Sequence, residues 1–242
     1  MTDANRPPTT PDCSRTVGAS GERGTVNSTI RLVAVNVAKP KHLAEHRGQT
    51  VVSGIAKLPV TADHLWLDLL NLEGDGQADL TAHGGPDKAV YAYPSEHLPS
   101  WTAELGQEEL GPAPFGENLT TAGATEDRVC IGDRWYWGDA VLEVTQPRAP
   151  CFKLAIHRNR GDIGRLLRQS GRCGWYLRVL EPGQVPVAGP VLVVPHAMVA
   201  AVTAAHRALW SGETAVETLE ALVAVEPLAL EWKMPLSSRL SY

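Results

Sequence analysis

The pattern of apolar and polar positions changes twice along this chain of 242 residues. Residues 1–28 are rich in Pro, Thr, Ser and Gly and poor in large apolar residues, which predicts a disordered tail. From Ile30, short runs of β-branched and aromatic residues alternate with Gly- and Pro-containing turns, as strands do. After Pro195 the apolar positions follow a helical period. The sequence thus predicts a tail, a β-rich domain at 29–195 and a helical extension at 196–242.

The β-rich domain contains many short candidate strands and few helices. The candidate strands are 30–37, 50–60, 65–72, 88–94, 174–180 and 191–195, with a hairpin-like segment at 128–146. One helix is expected after Ser95, with Leu98, Trp101 and Leu105 on one face, and another from Asp162 to Gly171. Since helices and strands do not alternate regularly, a closed or partly closed β-barrel is favoured over a doubly wound parallel sheet.

The extension is predicted to form three helices. Their segments are 197–211, 214–225 and 228–240, with the last broken at Pro235. A unit of this size is too small to be stable alone, so we expect it to pack on the barrel.

Composition and charge narrow the class of protein. The net charge of −5 argues against a general affinity for nucleic acid, although a local basic pocket is compatible with it. No apolar run approaches the ~20 residues needed to cross a bilayer, and the N-terminus has no apolar core like that of a signal peptide. We therefore expect a cytoplasmic protein. The four cysteines, Cys13, Cys130, Cys151 and Cys173, include no CxxC pair, so free thiols are expected rather than a zinc site.

The stretch QPRAPC at 146–151 holds one cysteine in an unusual setting. Pro147 and Pro150 fix φ, and the residues before them are pushed towards extended backbone. Arg148 and Cys151 should therefore lie on a stiff, extended segment at the end of a strand. A nearby arginine favours the thiolate over the thiol, which makes Cys151 a candidate reactive or metal-binding residue. The alternative is a packing cysteine at a strand end.

A second candidate is the long, glycine-rich polar stretch at 73–94. Its turn at 84–86 can present backbone N–H groups to an anion. His83 can donate or accept a hydrogen bond near neutral pH, and Lys88 adds positive charge. Loops of this length are more often functional than idle, the alternative being an ordinary surface loop. The stretch lacks the third glycine of a dinucleotide fingerprint and the acidic ladder of a calcium loop.

A third candidate is PFGENLTT at 114–121. Gly116 permits close approach of the backbone to a ligand, Asn118 can donate and accept hydrogen bonds, and Thr120 adds a hydroxyl. A capped turn entering a strand is the alternative. The pair of histidines in HLAEH at 42–46 does not match the HExxH zinc motif, so no metal role is predicted for it.

Five long motifs occur in a fixed order along the chain: GDGQADLTAHGGPDKAVYAYPSEH, FGENLTT, EDRVCIGD, QPRAPCFKL and GRCGWYLRVLEPG. Together they closely resemble the MOSC domain family, the molybdenum-cofactor sulfurase C-terminal domain, in its YiiM-like branch. The resemblance covers about residues 30–195. The helical tail is similar to the three-helix extension of that branch but shorter. The implied fold is mainly β: a MOSC-type barrel of mixed strands with short helices and a small helical extension.

The resemblance also implies an activity. Enzymatic relatives hold molybdenum through a pterin dithiolene and one protein cysteine, and Cys151 lies where that cysteine falls. A soft thiolate suits such a metal. YiiM-like relatives reduce N-hydroxylated compounds such as 6-N-hydroxylaminopurine. Their electrons come from a separate redox protein, and this chain carries no iron–sulfur or flavin motif. A homodimer is compatible with this assignment.

Individual residues receive roles from the same resemblance. Cys151 is the implied metal ligand, and His83 or Arg148 would hold the substrate N–OH and help to deliver the proton that leaves as water. The implied cofactor-binding residues are Lys57, Lys88, Asn118, Thr120 and Arg148. The phosphate of a pterin is a dianion, which the basic residues would offset.

Two other functions stay open at this point. In the first, Cys151 would carry a persulfide, and the domain would act as a sulfur carrier or cofactor-handling module. In the second, the domain would be a binding module without chemistry, and Cys151→Ala would keep all cellular function. Molybdenum content discriminates the reductase from the sulfur carrier.

Overall fold

Seven strands close into a barrel in the computed structural model, which describes residues 28–78, 84–197, 200–211 and 214–241. The strands of the described residues are β1 (Ser28–Val37), β2 (Lys41–His46), β3 (Gln49–Ser53), β4 (Leu58–Pro59), β5 (His64–Leu67), β6 (Val90–Pro94), β7 (Leu119–Ala122), β8 (Arg134–Trp137), β9 (Ala140–Pro147), β10 (Trp175–Glu181), β11 (Gly183–Pro186) and β12 (Gly189–Val194). Around the barrel the order is β1, β12, β8, β9, β10, β6 and β7, and β7 pairs with β1 again. The predicted closed barrel is confirmed.

The barrel is mixed because one neighbouring pair of strands is parallel. β6 and β7 run in the same direction, with Ala92 beside Leu119, whereas the other barrel pairs are antiparallel. β8 and β9 form a hairpin around Gly138, whose φ is +59°, and a side chain there would collide with the Gln184 carbonyl. Outside the barrel, β2 pairs with β3, β5 pairs with β11, and β4 pairs with the end of β1.

The barrel interior is filled by alternate residues of the strands. In β10, Trp175, Leu177 and Val179 are buried while their neighbours are more exposed. The same period of two occurs at Ile30 and Leu32 of β1, as expected for strands with one face on the core. β9 departs from this alternation, because seven of its eight residues are buried.

Short helices cover the barrel. They are α1 (Leu98–Leu105), α2 (Phe152–His157), α3 (Ile163–Ser170), α4 (Val202–Trp210), α5 (Val216–Ala224) and α6 (Leu230–Ser238), with 3-10 turns at Pro86–Lys88, Ser95–His97 and Arg239–Ser241. A second apolar cluster contains Tyr93, Trp101 and Phe115 together with residues of α2 and α3. The rings of Tyr93 and Phe115 stack with centroids 4.4 Å apart, and the Trp101 indole N–H donates to the Tyr93 hydroxyl.

The C-terminal helices pack directly on the barrel. Trp232 of α6 is almost completely buried and belongs to the same apolar cluster as the barrel interior. The Ala229 N–H donates to the Thr145 carbonyl at 3.2 Å, and Arg178 Nη2 donates to the Pro227 carbonyl at 2.9 Å. The helices therefore extend the core that the barrel begins.

Two predicted strands are shorter than expected. The segment 50–60 is interrupted between β3 and β4, where Gly54 approaches another loop so closely that a Cβ would lie 2.7 Å from the Gly76 carbonyl oxygen. The segment 65–72 is a strand only as far as Leu67, because the Asp68 N–H donates to the Asn71 carbonyl and closes a turn.

One helix has no counterpart in the predictions, and one prediction about a helix is wrong. The sequence does not predict α2, because the prolines of QPRAPC indicate extended backbone. That backbone persists as far as Cys151, and the helix begins immediately after it. Pro235 does not break α6, which continues to Ser238. Buried Trp232 and Leu236 anchor the helix on both sides of the proline, so packing compensates for one missing hydrogen bond.

The predicted disordered tail, residues 1–28, lies outside the described residues except for Ser28, which begins β1. Among the helices that the structure describes, none combines the length and the apolar character needed to span a bilayer.

Candidate functional site

The end of β9 opens into a pocket of about 240 Å³. Strand ends, loops and one C-terminal helix contribute to its wall, including the loop at 53–57, the loop at 75–78 and the segment 146–151. Its size is close to the lower end of small-molecule sites, which enclose about 300–1,000 Å³. The pocket is the place where the three motifs singled out in the sequence meet.

Cys151 lies on the wall of this pocket as a partly exposed, free thiol. Pro147 ends β9, and the backbone stays extended through Pro150 to Cys151, whose carbonyl accepts the Leu154 N–H at 3.1 Å. The extended backbone that the two prolines predict thus ends at Cys151, which is the N-cap residue of α2. The other two described cysteines, Cys130 and Cys173, are buried.

Arg148 is a buried cation beside that thiol. Its guanidinium lies 5.3 Å from the centroid of the Tyr91 ring, and its backbone N–H donates to the Gly174 carbonyl at 3.2 Å. Burial by itself would lower the pKa of Arg148, but Tyr91, Tyr176 and Cys151 outweigh it and hold that pKa above its ordinary value. The side chain therefore stays charged and acts as a hydrogen-bond donor.

Two side chains at the pocket keep buried polar atoms without a partner among the described residues. These atoms are Nη1 of Arg148 and both amide atoms of Gln146. Buried polar groups are nearly always paired, and an unpaired one costs about 1–3 kcal/mol. Two donors and an acceptor on Gln146 and Arg148, two residues apart in the pocket wall, are therefore available to a polar ligand.

Lys57 is held in the pocket wall by Asp75. Both are buried, and Lys57 Nζ forms an ion pair with Asp75 Oδ1. Burial lowers the pKa of Lys57, against the opposing effect of the Asp75 carboxylate. Asp75 also accepts the Ala38 N–H at 2.9 Å and the Asn118 amide at 2.8 Å. Part of the charge of Lys57 is thus compensated inside the protein.

Asn118 connects three parts of the pocket wall. Its Nδ2 donates to Asp75 and to the Asn36 carbonyl, and its Oδ1 accepts the Tyr91 N–H at 3.1 Å. The amide is fully used by these bonds, so the side chain holds β1, β6 and the loop at Asp75 together. Thr120 is buried, donates to Glu117 and accepts from Asn36, and does not line the pocket.

Positive charge predominates in the pocket wall. The basic lining residues are Lys57, Lys88, Arg148 and Lys153, and the acidic ones are Asp75 and Glu231. Lys88 forms an ion pair with Glu231 of α6, whose side chain is half exposed. A pocket with this balance attracts anions although the whole chain is acidic.

The structure brings most of the predicted site residues to this pocket. Those that line it are Lys57, Lys88, Asn118, Arg148 and Cys151. Thr120 lies close behind the wall, and His83 lies outside the described residues. The roles assigned to these residues stay predictions, because their position alone does not test them.

Sequence reasoning missed several residues of the pocket: Asp75, Tyr91, Gln146, Lys153, Tyr176 and Glu231. Gln146 and Asp75 belong to the motifs already described. Each is a polar residue next to a proline or a glycine, and this feature could have identified them as site residues. Tyr91 and Tyr176 look like ordinary strand residues in the sequence. Glu231 comes from the helical extension, and no local pattern links it to the barrel.

The described side chains do not form a complete metal site by themselves. Among the residues that the structure describes, no three His, Cys, Asp or Glu side chains are grouped so that they could hold a metal ion. Cys151 is a single soft donor in a basic pocket. Such a donor suits a metal that brings its other ligands with it.

Comparison with known proteins identifies the family of the barrel. The family model described as the MOSC domain matches residues 79–192. Protein YiiM of Escherichia coli is 39% identical over 189 residues, which cover 77% of this chain and 84% of that protein. A protein of Gibberella moniliformis named Reductase is 42% identical over 120 residues, 46% of this chain but only 20% of the fungal protein.

The fold is similar to that of a solved relative. The crystal structure of YiiM from Geobacillus stearothermophilus is 31% identical in sequence and has a TM-score of 0.72. The match covers 87% of this chain and 99% of that chain. The likeness therefore extends over most of the chain and is not confined to the barrel motifs.

Proposed function

The chain belongs to the MOSC domain family, as a relative of the YiiM proteins, and from this premise we propose that it is a molybdenum-cofactor-dependent reductase of N-hydroxylated compounds. The observation that carries the proposal is the partly exposed thiol of Cys151 in a basic pocket with unpaired buried donors. The fungal relative named Reductase supports an oxidoreductase role.

The pocket residues fit a metal-carrying, anionic pterin. Cys151 would supply the one protein ligand to molybdenum, since a thiolate is a soft donor. The phosphate of the pterin would lie against Lys153 and Arg148. Lys57 and Lys88 would contribute less, because Asp75 and Glu231 already neutralise them in part. When bound, the cofactor would supply the two-electron chemistry that the side chains of this protein lack.

The chain's own residues would bind and orient the substrate. Overall, N–OH becomes N–H and water with two electrons and two protons, the electrons coming from a separate donor protein. The unpaired Arg148 Nη1 and the Gln146 amide are suited to hold the oxygen of the N–OH group. Because the pKa of Arg148 is raised, it would donate a hydrogen bond but not the proton. His83 stays the candidate proton donor from the sequence.

A second function uses the same thiol. A partly exposed, unpaired cysteine in a pocket is also suited to carry a persulfide, and the domain would then be a sulfur carrier or cofactor-handling module. Here the basic residues would bind the molecule that receives the sulfur. Molybdenum and labile sulfur on the purified protein distinguish the two functions.

The experiment is elemental analysis of protein purified from a host that makes the molybdenum cofactor. We expect molybdenum in the wild type and less than about a tenth of that content in Cys151→Ser, since removing a metal ligand or its partner costs about 10–100-fold in affinity. Reduction of an N-hydroxylated base with a reduced electron donor should fall in parallel. Cys13→Ser is the matched control, because it removes a cysteine from the predicted tail and should keep both properties.

Two results would contradict the reductase. Equal molybdenum content and activity in wild type and Cys151→Ser would exclude Cys151 as the ligand. Labile sulfur on the wild type, without molybdenum, would favour the sulfur carrier instead. Unchanged thermal unfolding of Cys151→Ser would confirm that any loss is chemical and not a failure to fold.

A further inference from the structure

A second cleft, of about 470 Å³, lies between the C-terminal ends of α3 and α4. None of its described lining residues also lines the pocket at Cys151. Its wall contains three arginines, Arg165, Arg168 and Arg207, and no acidic residue among those described. Such a concentration of guanidinium groups is unexpected on a chain with a net charge of −5.

Helix ends explain only part of this charge. Arg168 and Arg207 each lie in the last turn of a helix, where a cation is favourable beside the free carbonyls. A helix C-terminus carries roughly half a negative charge, so two such ends balance about one of the three cations. Arg165 donates to the neutral Gln169 side chain at 2.8 Å and forms a loose ion pair with Asp162, at 3.5 Å, a carboxylate that Arg160 holds at 2.7 Å. The cleft therefore keeps a positive excess.

An aromatic side chain lines the same cleft. Trp210 is 43% exposed, and the Arg168 guanidinium lies 5.4 Å from its ring centroid. A large indole at the surface, beside arginines, offers a planar apolar surface next to phosphate-binding groups. Exposed aromatic rings are the platforms on which proteins stack nucleic-acid bases.

A buried histidine provides an independent sign of a ligand. His206 lines the cleft, is only 2% exposed, and its Nε2 has no hydrogen-bond partner among the described residues. Burial lowers its pKa to about 4, so the ring is neutral at pH 7 and one nitrogen can accept while the other donates. An unpaired buried nitrogen in a cationic cleft is what a polar ligand would satisfy.

We propose that this cleft binds a nucleoside phosphate, with its phosphate on the arginines and its base against Trp210. Planar guanidinium groups match phosphate oxygens in pairs, which favours phosphate over a single carboxylate. The aromatic wall favours a ligand that also has a ring. This site is separate from the Cys151 pocket, and the proposal does not depend on the function proposed there.

Calorimetric titration of the full chain with ADP, adenosine and inorganic phosphate tests the proposal. We expect ADP to bind at least about tenfold more tightly than phosphate, adenosine to show no measurable binding, and the ADP affinity to fall as salt is raised. Arg168→Gln together with Arg207→Gln should weaken ADP binding at least about tenfold. Trp210→Leu should weaken ADP binding but leave phosphate binding unchanged.

The control is Arg134→Gln, which removes an exposed arginine from β8, away from this cleft, and should bind ADP like the wild type. Equal affinity for ADP and phosphate would overturn the proposal, because the base would then contribute nothing. Normal ADP binding by the arginine variants would also overturn the proposal, provided that a thermal unfolding transition shows these variants to be folded. Binding of an acidic peptide without ADP would identify a protein-docking surface instead.

Discussion

Glu117 is a carboxyl group with no exposed surface, between two residues that line the Cys151 pocket, Gly116 and Asn118. Its oxygens accept the Phe115 N–H at 3.0 Å and the Thr120 hydroxyl at 3.3 Å. Burial raises its pKa from 4.5 to about 7, although these hydrogen bonds oppose the rise. A side chain directly behind the wall of the site therefore changes charge near neutral pH.

This shift predicts a pH-dependent loss of stability. The folded state binds the Glu117 proton more tightly than the unfolded state, so its stabilising contribution is complete below pH 4.5 and is lost as the pH rises through 7. Between these limits the free energy of unfolding of the wild type should fall by roughly 3 kcal/mol relative to that of Glu117→Gln. Urea unfolding of both proteins across pH 4.5–8 measures the difference. Glu220→Gln changes an exposed glutamate and should show the same pH dependence of stability as the wild type. If the free-energy difference between the wild type and Glu117→Gln stays constant with pH, the raised pKa of Glu117 is contradicted.

At the scale of elements, the pocket wall depends on close contact between loops that are far apart in sequence. Gly116 has φ +81°, and a Cβ there would lie 2.6 Å from Ile55 Cγ1. A Cβ at Gly54 would likewise lie 2.7 Å from the Gly76 carbonyl oxygen. The glycines allow the loop at 53–57 to reach Asp75 and Asn118, and this contact positions Lys57.

Gly116→Ala should be more destabilising than Gly111→Ala. Both residues have positive φ, which costs an alanine about 1–2 kcal/mol. Gly111 has no heavy atom within 4 Å of the added Cβ, whereas Gly116 meets Ile55, and overpacking costs a further ~1–3 kcal/mol. Urea unfolding compares the two free energies. Equal losses would mean that the loop at Ile55 moves freely, and the pocket wall would then be less rigid than its contacts indicate.

At the scale of the whole molecule, the barrel and the C-terminal helices share an apolar core. One apolar cluster includes both Trp135 inside the barrel and Trp232 on α6. α6 also brings Glu231 to Lys88 at the Cys151 pocket. The helices thus contribute to the core and to the site at once.

Trp232→Ala should destabilise the entire chain. Removing a buried tryptophan costs about 3–5 kcal/mol, whereas Met234→Ala on the exposed side of the same helix should cost within about 0.5 kcal/mol. Urea unfolding followed by far-ultraviolet circular dichroism should show one transition, shifted to lower urea in Trp232→Ala. Separate transitions for helix and sheet signals would show instead that the extension unfolds independently of the barrel.

The sequence by itself determined most of what depends on local physics. Runs of β-branched and aromatic residues predict β1 and β10, the hairpin-like segment at 128–146 contains β8 and all but the last residue of β9, and two prolines predict the extended segment that ends at Cys151. Each of these patterns lies within a short stretch of consecutive residues, so the local sequence is enough to recognise it. The motifs also led to the family, and five of the predicted site residues line one pocket.

Only the tertiary structure decided what depends on contacts between distant segments. No local pattern shows that Asp75 forms an ion pair with Lys57, or that Glu231 does so with Lys88. Nor does any local pattern show that the Asn118 amide hydrogen-bonds to three separate segments. The cleft at Trp210 likewise exists because α3 and α4 end side by side. Charge pairing, burial and pKa depend on distance in space, and strand order around a closed barrel sets those distances.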